Sequence, residues 1–334
     1  DPALLEDVIL GCAYPEASQG NNLARIVGLL SGLPQEVGGM TVNRFCGSSM
    51  SAVHIAAANI EAGLGDAFLC VGVESMTQVP QGGFNFSPNP WLQEYTDAYV
   101  SMGRTAENVA ERYAIPRGEQ ERMALESHHK AAAAREQGRL RDEIVRIQTG
   151  TGEWVTEDGC IRPNTSLEAL AKLPPAFDEN GVVTAGTSSP LTDGASAVLV
   201  TSDDFAARHN LTPSARIRAV ASAGCDPAVM GLGPIPATRK ALARAGLNAD
   251  DLGVVEINEA FASQALACIG DLHLDPATVN LDGGGMAIGH PLGATGARIT
   301  GKAAALLQRE KVKYALATQC IGGGQGVATI LEAL

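Results

Sequence analysis

The chain has 334 residues, 45% of them hydrophobic, which exceeds a single typical domain and is enough to bury a large core. A formal charge of −13 argues against nucleic acid or an anionic membrane surface as partner, and no apolar run is long enough to span a bilayer. Seven cysteines with no C-x-x-C pair and no zinc-type spacing argue against a disulfide framework or a metal centre, and fit a reducing, cytosol-like compartment.

In chain order, an apolar strand is predicted at Asp7–Cys12, and a β-like run ends at Cys46. A small-residue helix then runs from about Ser48 to Ala62, followed by a strand at Ala67–Gly72. From Thr77 to Pro190 the pattern changes: a turn-rich stretch at Gln81–Pro90, an amphipathic segment at Thr105–Tyr113, and a charged helix-like one at Gly118–Gly138. The charge run Arg135–Arg146 reads as a solvated face, His128 and His129 as surface residues, and His54 as a core or interface histidine. Val183–Pro190 leads the chain back to a sheet, where Gly194–Val200 reads as a buried strand.

The second half opens with a strand at Ala215–Val220 and a helix at Pro236–Ala245. Cys12 precedes Cys46 by nearly the distance at which Asn258 precedes His290, and each half then passes through a helix into an apolar strand, the second at Lys313–Thr318. Two similar α/β halves are therefore expected, with boundaries at 1–76, an inserted 77–190, a return strand at 191–210 and a second half at 211–334. The first half has no counterpart of Ala215–Ala245, which predicts a strand and helix of roughly 35 residues upstream of Asp1.

Cys46 carries the chemistry. Taken alone it would be an inert buried cysteine, but at a strand-to-helix junction the orphan N–H groups and positive end of the helix favour a thiolate. His290 lies in the glycine-rich loop Gly283–Gly296, and Cys320 ends a strand at the glycine turn Gly322–Gly324. A thiolate, an imidazole to activate it and a second thiol able to move a proton are the parts of a nucleophilic acyl-transfer site.

Four blocks, Asn43–Ser49, Asn258–Ala262, Gly289–Gly293 and Cys320–Gly324, together resemble the signatures of the thiolases, in that family's order and over essentially the whole chain. Val42–Cys46 and Gly224–Gly231 are most similar to degradative 3-ketoacyl-CoA thiolases of fatty-acid β-oxidation. The resemblance implies a thiolase fold, two similar halves in a layered αβαβα architecture, with 77–190 as a loop domain that covers the site and binds coenzyme A. It implies the same loss upstream of Asp1.

It also implies the chemistry: Cys46 attacks the ketone of a 3-ketoacyl-CoA, His290 activates the sulfur, and Cys320 protonates the departing enolate to give acetyl-CoA. Coenzyme A, a substrate and not a bound cofactor, then takes the shortened acyl group; no metal or redox group is required. Asn258 would position a water in one oxyanion hole, and the N–H groups of Cys46 and Gly322 would form another. Ser189, Arg162, Phe177, Met230, Ala260 and Phe261 fall where the family contacts coenzyme A, and Met102 where it lines the acyl pocket. For Phe177, Met230 and Phe261, core packing is an equal reading. Ser101 stands where short-chain members carry histidine, which leans toward longer substrates.

A homodimer or homotetramer is implied, as is a hydratase and dehydrogenase partner in a β-oxidation complex, in a bacterial cytoplasm or, with a targeting segment, an organelle. Two alternatives use the same residues: an acetoacetyl-CoA thiolase running the Claisen condensation, and a non-catalytic acyl-CoA or lipid carrier. Intact Cys46, His290 and Cys320 argue against the carrier.

Overall fold

Alternation of side chains builds the first sheet. In β1 (Asp7–Gly11), Val8 and Leu10 face outward onto Ala24 and Val37, while Ile9 faces inward onto Ala52, Val53 and Ala56. Those partners belong to the outer helix α1 (Leu23–Leu30), the turn before β2 (Gly38–Val42), and the inner helix α2 (Ser48–Glu61). β1 is flanked by parallel β2 and β3 (Ala67–Ser75), with Ile9 opposite Met40 and Cys70. A strand flanked and covered on both sides reads as a continuous apolar run, as Val8-Ile9-Leu10 does.

The computed structural model describes all residues, Asp1–Leu334. After β3 the insertion carries α3 (Pro90–Tyr95), α4 (Met102–Arg112), α5 (Arg117–Glu136), a small hairpin of β4 (Ile147–Gln148) and β5 (Trp154–Val155), and α6 (Leu167–Ala171). Ser101 caps α4 by accepting from the Arg104 N–H, so the residue expected to speak about substrate size holds a helix start. His128, expected at the surface, is buried on α5, where its Nδ1 accepts from the Arg162 N–H at 3.2 Å. The charged composition of α5 concealed this, because its inner face is alanine-rich and packs beneath the insertion.

The chain returns as β6 (Asp193–Thr201), antiparallel to β3. The strand expected here as buried is half exposed, with Leu199 at 50%, because among the residues described it pairs on one side only, with β3. α7 (Asp203–Arg208) leads to the second half: β7 (Arg216–Gly224), α8 (Pro234–Ala245), β8 (Val254–Ile257), α9 (Ala262–Asp271), α10 (Gly285–Ile288), α11 (Leu292–Glu310), β9 (Tyr314–Ile321) and β10 (Gln325–Glu332). Its sheet runs β7-β10-β9-β8 and the first runs β2-β1-β3-β6, so β6 corresponds to β10 and the second sheet continues one strand further.

α2 and α11 pack on each other between the two sheets, α1 covers the outer face of the first and α8 and α9 that of the second. The close approach of the middle helices depends on small residues: a Cβ on Gly296 would lie 2.3 Å from the Met50 nitrogen. Both middle helices begin just after a residue singled out for chemistry, α2 after Cys46 and α11 after His290. Their first turns meet, the Ser49 hydroxyl accepting from the Ala297 N–H at 2.8 Å, which brings the two starts together near the ends of β1, β8 and β9.

Candidate active site

Cys46 lies on a tight turn between β2 and α2 that Phe45 enters at φ +43°, a left-handed backbone uncommon outside glycine. Side chains hold that turn. Asn43 Oδ1 accepts from the Phe45 N–H at 2.8 Å, Ser48 Oγ accepts from the Arg44 N–H at 2.9 Å, and the Ser48 hydroxyl donates to the Phe45 carbonyl at 2.6 Å. Asn43 Nδ2 donates to the Ala13 carbonyl at 3.0 Å, tying the turn to the loop after β1. From the other half, the Gln319 amide donates to the Cys46 carbonyl. The sharp, over-determined turn presents the sulfur ahead of the helix.

The thiolate expected from the helix start is not the resting state. Burial pushes the Cys46 thiol up to about 12, against the opposing N–H groups of Gly322 and of Cys46 itself, with the Glu74 charge adding to the rise. Two amides and a helix end do not outweigh removal of water from a thiolate, so the sulfur is protonated until a base takes its proton.

His290 is buried, and burial together with the Arg298 charge lowers its pKa to about 3, so the ring is neutral. Asn258 Nδ2 donates to Nε2 at 3.3 Å, which leaves the proton on Nδ1, where it donates to Thr295 Oγ at 2.6 Å. Thr295 stands one turn into α11, and the Thr192 hydroxyl accepts from the His290 N–H at 3.1 Å. The buried Asn258 Oδ1 has no partner.

Cys320 ends β9 beside Asn258, whose N–H donates to the Thr318 carbonyl at 3.0 Å. Its thiol is fully buried and pushed well up, first by burial and then by the sulfurs of Cys46, Cys268 and Cys225. Gly322 follows at the turn; its N–H favours the Cys46 thiolate, and a Cβ there would lie 3.6 Å from both the Met102 sulfur and the Phe45 ring. The Cys46 turn, the Asn258–His290 pair and the end of β9 thus adjoin: Gln319 donates to the Cys46 carbonyl, and Asn258 bonds to both His290 and the Thr318 carbonyl. Metal is not suggested by the donors: no group of three or more histidine, cysteine or acidic side chains has metal-binding geometry.

Residues 1–204 match the N-terminal thiolase domain and residues 211–333 the C-terminal thiolase domain. The chain belongs to the thiolase family. Among its relatives, the 3-ketoacyl-CoA thiolase of Saccharophagus degradans is 50% identical over 99% of this chain and 87% of its own length. That of Shewanella denitrificans is 48% identical over 99% and 88%. Crystal structures of human mitochondrial 3-ketoacyl-CoA thiolase superpose with TM-score 0.92 at 41% identity, covering all of this chain and 88% of theirs; one of these, at 40% identity, is a complex with CoA.

Within this thiolase, Met102, Met230, Ala260 and Phe261 share one apolar cluster with Cys320. Phe177 joins it edge-on to Phe261, with ring centroids 5.9 Å apart, and Ser189 joins through its N–H to the Ala260 carbonyl at 3.0 Å. Arg162 stands apart from this cluster, exposed, with its backbone on His128. The buried members pack against Cys320 as core, which is the packing reading of Phe177, Met230 and Phe261. Expectations from sequence passed over Thr295, Thr192 and Gln319. Thr295 is in the same glycine-rich block as His290, and its place one helical turn later was the available signal. Nothing local in sequence pointed to Thr192, which comes from 98 residues away.

Proposed function

We propose that the chain catalyses thiolytic cleavage of 3-ketoacyl-CoA to acetyl-CoA and a shortened acyl-CoA. What supports this is a protonated Cys46 at the start of α2 and a neutral His290, its tautomer set by Thr295 and Asn258, at the start of α11, two helix starts joined where the Ser49 hydroxyl accepts from the Ala297 N–H at 2.8 Å. Nε2 takes the thiol proton as the sulfur attacks the ketone. A half-turn of the Asn258 amide then offers its unpartnered Oδ1 to the new N–H, so the imidazolium is not left facing donors. The developing oxyanion is met by the N–H groups of Cys46 and Gly322, the two amides that favour negative charge on the sulfur.

The carbon–carbon bond breaks with its electrons going to the acetyl-CoA enolate, which takes the Cys320 proton. A thiol held far above its ordinary pKa is a poor acid toward water and a suitable one toward an enolate, the stronger base. Incoming coenzyme A restores that proton and accepts the acyl group, while Cys46 leaves as thiolate and recovers its proton from His290. Arg162 and Ser189 belong to the coenzyme A contacts, and Met102 and Phe45 to the acyl side of Gly322.

The test separates the two sulfurs. Cys46→Ala leaves no acyl-enzyme after exposure to radiolabelled acyl-CoA, whereas Cys320→Ala still acylates but no longer exchanges the α-protons of acetyl-CoA. Undiminished exchange in the second variant removes Cys320 from its role. A homodimer completes the reading: β2 is an unpaired edge, and Met40 within it and Leu29 and Leu30 of α1 expose apolar surface, Leu30 at 82%. Sedimentation at monomer mass would refute it.

A further inference from the structure

The internal repeat places Glu74 as far along the chain from Cys12 as Cys320 stands from Asn258. The first half therefore holds a buried carboxyl where the second half holds its proton-transfer thiol. Glu74 is 1% exposed and lies at the end of β3. Its Oε2 accepts from the Gly293 N–H at 2.9 Å and from the Ala13 N–H at 2.7 Å. Its Oε1 accepts from the Tyr14 N–H at 3.2 Å, Gln19 Nε2 at 3.0 Å and the Cys12 thiol at 3.6 Å. All five partners donate and none is cationic, an arrangement only a carboxylate satisfies on both oxygens.

One of these bonds crosses between the halves. Gly293 is in the first turn of α11, three residues after His290, and approaches so closely that a Cβ there would lie 2.7 Å from the Cys12 Cα. Ala13, the other partner of the same oxygen, receives Asn43 Nδ2 on its carbonyl, and Asn43 in turn holds the Phe45 N–H of the Cys46 turn. A single oxygen thus joins the loop of the base to the loop that secures the nucleophile. Gln319 makes the reciprocal crossing, from the second half to the Cys46 carbonyl.

We propose that Glu74 is a positioning residue for the acyl transfer, whose carboxylate holds the His290 turn against the Cys46 turn although it bonds to neither reacting side chain. This rests on the reading of His290 as the base for Cys46. It has a sign that separates geometry from charge. The Glu74 charge disfavours the thiolate, so its removal by Glu74→Gln would speed Cys46 reactions if charge were the only link. Glutamine also turns an NH2 group toward donors, which breaks the join.

The experiment is alkylation of Cys46 by iodoacetamide near neutral pH, followed by mass spectrometry, in wild type, Glu74→Gln, His290→Ala and the double variant, with thiolysis of acetoacetyl-CoA alongside. Expected are slowed alkylation in both single variants, a double variant no slower than His290→Ala, and a fall of about 10²-fold in kcat for Glu74→Gln with KM little changed. Slow alkylation in His290→Ala with unchanged or faster alkylation in Glu74→Gln overturns the role of Glu74 alone. Additive losses in the double variant overturn it too. No effect of His290→Ala overturns the reading of the base and this proposal with it. Should Glu74→Gln fail to fold, Gln19→Met loosens the same carboxylate by one donor; a loss of about threefold that disappears in the His290→Ala background is expected, and an unchanged or additive rate refutes the proposal.

Discussion

Gly296→Ala tests whether the distance between the two middle helices sets the site. The added Cβ would meet the Met50 nitrogen at 2.3 Å, its Cβ at 2.7 Å and its Cα at 2.9 Å. Two of these are backbone atoms, which no rotamer change can move, so α2 and α11 must part by about 1 Å to reach ordinary contact. Alanine gains about 1 kcal/mol of helix propensity over glycine, while overpacking a well-filled core costs about 1–3 kcal/mol. The balance is a net loss of up to about 2 kcal/mol, centred near 1. Gly270 in α9 supplies the comparison, because a Cβ there meets nothing within 4 Å; Gly270→Ala should gain up to about 1 kcal/mol.

Urea denaturation reads both changes as shifts of midpoint at constant slope. Since α2 and α11 begin directly after Cys46 and His290, parting them also misplaces the reacting pair, and kcat for thiolysis should fall by about 10²-fold in Gly296→Ala while Gly270→Ala keeps wild-type activity. A Gly296→Ala protein with an unchanged or raised midpoint and full kcat would refute the reasoning.

Thr295→Val removes the oxygen that takes the His290 Nδ1 proton; stranding that buried N–H costs about 1–3 kcal/mol, and Cys46 acylation, followed by stopped-flow with acyl-CoA, should slow sharply. Glu256 is fully buried with one oxygen unpartnered, and burial raises its carboxyl to about 8. The folded state therefore holds a proton that the unfolded chain releases in the ordinary carboxylate range, so this contribution to stability is complete in acid and is lost as pH rises through about 8. Glu256→Gln should flatten that decline in a series of urea midpoints against pH, and an unchanged slope would refute it. Asp282 is buried yet held below the usual carboxylate range by Arg309 and Lys302, and it also pairs with Arg139 at 2.6 Å. Asp282→Asn takes one of two carboxylates from Lys302, 3% exposed, and leaves it Glu143 at 2.5 Å; a loss of about 1–3 kcal/mol, read from the denaturant midpoint, is expected.

Much of the fold was legible in sequence because its elements carry local signals. Val8-Ile9-Leu10 is apolar on both faces of a central strand, and α8 begins at a proline-rich start and ends at Gly246, in a left-handed conformation that stops a helix. β6 misled because an edge strand and a central one share the same run of small apolar residues, and only the pairing partner tells them apart. His128 misled because the charged residues around it on α5 outnumber the alanines that carry its inner face.

The residue types of the site, two thiols, one imidazole and an asparagine in glycine-rich settings, were decided by the order of residues alone, since chemistry is a property of the side chain. Their ionisation was not. Whether the Cys46 thiol rests protonated, which nitrogen of His290 carries the proton, and why a carboxylate at Glu74 is surrounded by donors depend on water excluded and partners brought from the other half of the molecule. Burial and long-range hydrogen bonds are created by packing, and no window of neighbouring residues contains them.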